Sequence, residues 1–93
     1  MPGDRRFVIA LTLYSRPGCH LCDEMKDTIA DVAREMPLVP FMVEEIDIST
    51  DPALEALYGV EIPVLLVNGR RAAKFRVSDE ELKKILKARA GEA

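Results

Sequence analysis

Two cysteines, Cys19 and Cys22, lie where a short apolar segment gives way to a long amphipathic one. The apolar segment, Phe7 to Tyr14, is rich in aliphatic and aromatic residues, and Ser15-Arg16-Pro17-Gly18 follows it with the proline and glycine of a turn. From Cys19 to Met36 the apolar residues recur every three or four positions, which predicts a helix with one buried face. Those positions are Cys22, Met25, Ile29, Val32, Ala33 and Met36. The sequence therefore predicts a buried strand, a turn and a helix that begins at the cysteine pair.

A second strand and a short second helix are predicted next. Phe41 to Ile48 reads as a strand, and its acidic residues indicate an edge position, because charges there discourage the addition of another strand. These acidic residues are Glu44, Glu45 and Asp47. Asp51 is placed to cap a helix that begins at Pro52 and ends at Gly59. The residues expected to form its buried face are Leu54, Leu57 and Tyr58.

The last third of the chain predicts a hairpin and a helix. Val64 to Val67 and Arg71 to Arg76 flank Asn68-Gly69, a pair that favours a tight hairpin turn because both of its positions need positive φ. Ser78 and Glu81 have the spacing of a capping box, which marks the start of a last helix. The apolar side of that helix comprises Leu82, Ile85 and Leu86.

This order of elements, β-α-β-α-β-β-α, predicts an α/β fold. Two parallel strands joined by a crossover helix, followed by an antiparallel hairpin and a terminal helix, make a four-stranded mixed sheet with three flanking helices. The arrangement resembles the thioredoxin fold. No repeat or linker interrupts it, and a chain of 93 residues supports one hydrophobic core. We therefore expect a single domain over residues 1–93.

Composition narrows the possible partners and compartment. Hydrophobic residues make up 48% of the chain and charged residues 31%, and the net charge of -3 gives no basic surface for nucleic acid or an anionic membrane. No stretch approaches the ~20 apolar residues of a membrane-spanning helix. Arg5 and Arg6 before an apolar run superficially resemble a signal peptide, but no small-residue cleavage site follows. Two cysteines do not fit the disulfide-dense secreted domains, so we expect a cytoplasmic protein. We also expect it to be a monomer.

The position of the cysteine pair predicts redox chemistry. A thiolate at Cys19 would receive the partial positive charge of the helix N-terminus, which lowers its pKa from an ordinary value of ~8.5. Cys22, one turn further along, is expected to be more buried and to have the higher pKa. Cys19 is therefore the candidate nucleophile and Cys22 the residue that resolves the mixed disulfide. Asp23 and Glu24 oppose the effect on Cys19, since negative charge raises a thiol pKa.

Several other interpretations of these residues stay open. A zinc site within one chain has only His20 to add to the two thiols, whereas zinc prefers four ligands, so we expect no metal ligand set in the chain itself. A metal or iron-sulfur cluster shared between two chains is an alternative, as is a pair of structural, reduced cysteines. His20 either tunes the pair as a cation or simply faces solvent. Pro63 could simply begin the third strand.

The segment around the cysteines resembles the active-site segment of glutaredoxins and of small glutaredoxin-like proteins. That segment is Leu13-Tyr14-Ser15-Arg16-Pro17-Gly18-Cys19-His20-Leu21-Cys22, and the resemblance continues through Val43 to Ile48, Tyr58 to Pro63, Val67-Asn68-Gly69 and the closing helix. It implies a thiol-disulfide oxidoreductase with no bound cofactor, acting on protein or small-molecule disulfides, with glutathione or another thiol as reductant. It further implies that Pro63 is cis, that the backbone of Ile62 pairs with an extended substrate, and that Arg16 holds a glutathione carboxylate.

Three departures from the glutaredoxin pattern all concern glutathione. Glu61 stands where glutaredoxins usually have threonine, and His20 stands where proline is frequent. The segment from Phe75 to Asp79 lacks the paired glycines that let backbone N–H groups approach glutathione, although Asp79 keeps a carboxylate for an amine. The sequence therefore leaves the substrate open. Its rival interpretations are a cluster-binding protein and a non-catalytic adaptor with the same fold.

Overall fold

The computed structural model describes residues 8–90, and its elements follow the predicted order. The four strands are β1 (Ile9–Ser15), β2 (Phe41–Asp47), β3 (Val64–Val67) and β4 (Arg70–Lys74). The three α-helices of the described residues are α1 (His20–Glu35), α2 (Pro52–Tyr58) and α3 (Asp79–Arg89), and a 3₁₀ turn, Ile48–Thr50, precedes α2. In the described residues, no helix has the length and apolar character needed to cross a membrane.

The sheet has the order β2-β1-β3-β4. β1 pairs with β2 in parallel, from Ile9 opposite Phe41 to Ser15 opposite Asp47, and with β3 in antiparallel. β3 and β4 form the antiparallel hairpin. The mixed sheet is therefore the one that the sequence predicts, and β2 lies at an edge as its acidic residues indicate.

The core lies between one face of the sheet and helices α1 and α3. Alternate residues of β1 point into it, since successive side chains of a strand face opposite sides. The buried cluster comprises Ile9, Leu11, Leu13, Met25, Ile29, Val32, Leu65, Val67, Val77, Leu82 and Leu86. On the opposite face, Tyr14 of β1 stacks on Tyr58 of α2, with ring centroids 4.4 Å apart. Helices therefore cover both faces, and the central strand β1 contacts both layers.

Two local signals of the sequence are confirmed. Asn68 and Gly69 have φ values of 51° and 82°, as the hairpin turn requires. The Ser78 hydroxyl accepts the N–H of Glu81 at 3.1 Å while the Glu81 carboxylate accepts the N–H of Ser78 at 3.0 Å, which completes the capping box of α3.

Other expectations were wrong in detail. Leu57 is 63% exposed, whereas Leu54 and Tyr58 are partly buried. Leu54 and Tyr58 are four residues apart, so they share the side of α2 that faces the protein, and Leu57 lies away from that side. Ala33 is likewise exposed on α1. β4 ends at Lys74 and not at Arg76, since Phe75 adopts a φ of 65° that no extended strand contains. The predicted start of β1, at Phe7, lies outside the described residues.

We predict that Leu82→Ala lowers the free energy of unfolding by about 3 kcal/mol, because it removes a fully buried side chain and leaves a cavity between α3 and the sheet. Leu38→Ala is the matched control, since the Leu38 side chain is 93% exposed. Urea denaturation measures both, and an equal loss of stability in the two variants would contradict the placement of the core.

Candidate functional site

A tight turn joins β1 to α1 and sets the position of Cys19. The Cys19 N–H donates to the carbonyl of Arg16 at 3.3 Å, so residues 16–19 form a closed turn. Pro17 fixes its own φ at the second position, and Gly18 has a φ of 77° at the third, which is favourable only without a side chain. The turn that Pro17 and Gly18 predict is therefore present.

Cys19 is the N-cap of α1. Its backbone is extended, and its carbonyl accepts the N–H of Asp23 at 3.2 Å to begin the helix. Its Sγ accepts the N–H of Cys22 at 3.1 Å. A sulfur atom thus occupies the position where Ser, Thr, Asp or Asn oxygens usually cap a helix, next to backbone N–H groups that lack helical partners.

The two cysteines form a disulfide, with their Cα atoms 5.2 Å apart. Cys22 is 1% exposed, whereas Cys19 is only half-buried. Cys19 is therefore the more accessible residue of the pair, and Cys22 the buried one. This asymmetry matches the one that the sequence predicts, and the arrangement fits redox chemistry.

Arg16 contacts the C-terminal end of α2. Its Nη2 donates to the carboxylate of Glu55 and to the carbonyl of Gly59, the latter at 3.2 Å. Its Nε is buried and has no hydrogen-bond partner. The glutaredoxin resemblance implies that Arg16 binds a substrate carboxylate. In this structure its Nη2 instead donates to the Glu55 carboxylate and the Gly59 carbonyl.

Gly59 leaves room for Glu55, the residue that pairs with Arg16, by having no side chain. A Cβ at this position would lie 2.5 Å from the carbonyl oxygen of Glu55 and 3.4 Å from Nη2 of Arg16. The sequence marks Gly59 only as the end of a helix. Its close approach to Arg16 and Glu55 depends on contacts between distant segments, which no local pattern reveals.

The loop from Gly59 to Pro63 leads from α2 into β3. The Ile62–Pro63 peptide bond is cis, as the resemblance implies. The Glu61 N–H donates to the carbonyl of Tyr58, and the Pro63 carbonyl accepts the N–H of Phe75, both at 2.8 Å. These backbone bonds fix both ends of the segment that carries Ile62.

Glu61 binds two cations of β4. Its carboxylate pairs with Arg71 and, at 3.5 Å, with Nζ of Lys74. The hydrogen bond from Arg71, followed by the charges of Arg71 and Lys74, lowers the pKa of Glu61. Arg71 also lies over the ring of Tyr58, 5.4 Å from its centroid. The residue that replaces the usual threonine thus anchors its loop to the neighbouring strand.

A groove of about 300 Å³ lies between α1 and the segment before α3. The side chains of Arg76 and Val77 line it in place of the glycines that glutaredoxins have. Asp79 begins α3 and is half-buried, and His20 begins α1 and is exposed. Binding roles for His20, Ile62, Pro63 and Asp79 stay predictions.

Within residues 8–90, no group of three or more His, Cys, Asp or Glu side chains is placed to hold a metal ion. A cluster shared between two copies of the chain would draw ligands from outside one copy. That interpretation stays a hypothesis.

Comparison with known proteins places this geometry in a family. A family model described as "Glutaredoxin-like domain (DUF836)" matches residues 10–87. The chain belongs to this glutaredoxin-like family. It is 29% identical over 77 residues to a glutaredoxin-like protein of Dictyostelium discoideum, covering 80% of this chain and 71% of that protein. An uncharacterized protein of Mycobacterium tuberculosis is 27% identical over 74 residues, or 76% of this chain and 75% of the relative.

Solved structures agree with the fold of this glutaredoxin-like domain. The X-ray structure of a structural-genomics target from X. campestris is 32% identical, with a TM-score of 0.61, covering 84% of this chain and 96% of that one. Chloroplastic thioredoxin z has a TM-score of 0.68 at 18% identity, covering 89% of this chain and 79% of its own. The thioredoxin-like fold predicted from the order of elements is confirmed.

We predict that Glu61→Gln destabilises the glutaredoxin-like domain at neutral pH and that the difference from the wild type closes in acid. A carboxyl whose pKa is lowered by folding stabilises the protein above its ordinary value of 4.5, and this contribution is lost as the pH falls through the lowered value. Denaturation series across that range measure the effect. Asp27→Asn, at an exposed carboxyl of α1, is the control. A pH-independent difference for Glu61→Gln would contradict the assignment.

Proposed function

We propose that this protein is a thiol-disulfide oxidoreductase that reduces disulfides through Cys19 and Cys22. The observation that carries the proposal is the position of Cys19, a partly exposed residue whose sulfur caps α1 and accepts the Cys22 N–H. Membership of the glutaredoxin-like family supports it. The overall fold does not by itself specify an activity.

The surroundings of Cys19 favour its thiolate once the disulfide is reduced. The hydrogen bond from the Cys22 N–H and the dipole of α1 both stabilise negative charge on this sulfur, so we expect a pKa below the ordinary value of a thiol. Two acids follow in the same helix, but each has a cation beside it. Asp23 lies 3.5 Å from Nζ of Lys26, and Glu24 lies 4.0 Å from Nε of Arg76. Their opposition to the thiolate is therefore weakened.

The proposed reaction moves two electrons from the dithiol to a substrate disulfide. The Cys19 thiolate attacks one substrate sulfur, the substrate S–S bond breaks, and the leaving thiolate takes up a proton. The thiol of Cys22 loses its proton and its sulfur attacks Sγ of Cys19, which releases the second substrate thiol and forms the Cys19–Cys22 disulfide. Two equivalents of an external thiol, such as glutathione, or one external dithiol then reduce that disulfide again.

The substrates we propose are protein or small-molecule disulfides that reach the exposed side of Cys19. The loop before Pro63 is fixed at both ends by backbone hydrogen bonds, so the backbone of Ile62 can serve as a preorganised partner for an extended substrate. We further propose that the protein acts as a monomer in the cytoplasm, where reducing thiols are available.

We predict that Cys19→Ser lowers disulfide reduction to the background rate, because no accessible thiolate remains. Cys22→Ser should accumulate a stable mixed disulfide at Cys19, because the resolving sulfur is absent. Turnover with a model disulfide and mass spectrometry of the intact protein measure the two effects. A Cys22→Ser protein that forms no adduct although Cys19 is intact would show that the roles are wrongly assigned.

The reduction potential gives an independent test. Equilibration of the wild type in glutathione redox buffers should yield a potential between about -180 and about -270 mV, the range of known disulfide reductases. A pair that stays reduced at every buffer ratio would overturn the dithiol mechanism and favour a cluster-binding or adaptor role. Visible absorbance after anaerobic purification would then indicate the cluster-binding role, and a colourless protein the adaptor role.

A further inference from the structure

The guanidinium of Arg16 lies at the centre of the contacts between the Cys19 turn and α2. Its Nη2 carries two hydrogens and faces two acceptors, the Glu55 carboxylate and the Gly59 carbonyl. Its Nε is buried, out of reach of a ligand from solvent. The side chain is therefore held on the protein side by more than one contact.

These contacts leave no complete edge of the guanidinium for a substrate. A carboxylate binds arginine most strongly through two parallel N–H groups on one edge, and both such edges include Nη2. One edge pairs Nη2 with Nε and the other pairs it with Nη1. Since both hydrogens of Nη2 face protein acceptors, an incoming carboxylate would have to displace Glu55 or accept a weaker, single contact.

The charge of Arg16 is also balanced locally. Glu55 pairs with it directly, and its charge contributes, after the hydrogen bonds from Ser49, to the lowered pKa of Asp47. The Glu55 carboxylate is therefore the direct counterion of Arg16, and Asp47 interacts with it only at longer range. A substrate carboxylate would have to compete with Glu55 for this charge.

The same residue joins the turn before Cys19 to the loop that follows α2. The backbone carbonyl of Arg16 accepts the Cys19 N–H and closes the turn that presents the sulfur. Its side chain holds the carbonyl of Gly59, the first residue of the loop that ends at cis-Pro63. The absence of a Cβ at Gly59 leaves room for Glu55, whose carboxylate and carbonyl oxygen a Cβ would meet.

We propose that Arg16 is a positioning residue that holds the Cys19 turn against the Gly59–Pro63 loop, and that it is not the site of a substrate carboxylate. Resting on the proposed function, this means that the protein gains no selectivity for carboxylate-bearing disulfides, such as glutathione disulfide, from Arg16. Its natural substrates are then the disulfides of peptides and proteins, which it recognises through their backbone and surface.

A pair of substrates tests the proposal. Rate constants for reduction of glutathione disulfide and of the uncharged bis(2-hydroxyethyl) disulfide are measured for the wild type, Arg16→Ala, Arg16→Lys and Glu55→Gln. Glu35→Gln is the matched control, since Glu35 also forms an ion pair, with Lys83 of α3, but lies at the end of α1 away from Cys19. We expect Arg16→Ala to slow both substrates by the same factor and Arg16→Lys to restore part of both rates. Glu55→Gln should raise the rate ratio in favour of glutathione disulfide about fivefold, the effect of one freed surface ion pair.

Loss of glutathione reactivity alone in Arg16→Ala, with the uncharged disulfide unaffected, would overturn the proposal and assign a carboxylate site to Arg16. An unchanged rate ratio in Glu55→Gln would also count against the proposal, since the ion pair with Glu55 would then not be what keeps Arg16 from binding a substrate carboxylate.

A second readout does not depend on turnover. The equilibrium between the dithiol and the disulfide in a glutathione buffer should shift toward the disulfide by about threefold in Arg16→Ala, or about 15 mV, because the turn that caps the thiolate is less well held. Arg16→Lys should show a smaller shift and Glu35→Gln none. An unchanged equilibrium would overturn the positioning role. If the wild type reduces neither disulfide, the proposed function fails, and this shift alone decides the role of Arg16.

Discussion

The hydrogen bond between the Cys19 N–H and the Arg16 carbonyl sets the geometry of the site, because it closes the turn that converts the central strand into the first helix. With that turn closed, the Cys19 sulfur caps α1, and Cys22 falls one helical turn further on, where the core buries it. The strand fixes one side of the turn, since β1 pairs with a neighbour on each edge. The accessible sulfur is therefore positioned by the most extensively paired part of the sheet.

Much of the fold could be predicted from sequence because its main signals are local. Pro17 and Gly18 specify the turn before α1, Asn68 and Gly69 the hairpin, and Ser78 with Glu81 the start of α3, and each is explained by the preferences of a few neighbouring residues. The parallel pairing of β1 and β2 follows in turn from the intervening helix. The disulfide-forming pair at the N-terminus of α1 was predicted for the same reason.

The contacts that no local pattern specifies were missed. Leu57 is exposed because the stack of Tyr58 on Tyr14 determines which side of α2 faces the protein, and those two rings come from distant segments. The ion pair of Arg16 with Glu55 joins residues 39 positions apart. Glu61 was noted only as a departure from threonine, whereas its role as an anchor depends on Arg71 and Lys74 across the hairpin. Long-range side-chain contacts thus decide how α2, the turn before Cys19 and the loop before Pro63 are held together.

The short separation of the two cysteines has a consequence for the protein as an electron carrier. A bond across a sequence separation of three residues removes little conformational freedom from the unfolded chain, so making or breaking it changes the folding equilibrium far less than a long-range cross-link would. Both cysteines also belong to one helix and its cap, which the other elements hold in place. The redox state of the pair therefore has little effect on the stability of the domain. The same scaffold serves the dithiol, which holds two electrons, and the disulfide, which has released them.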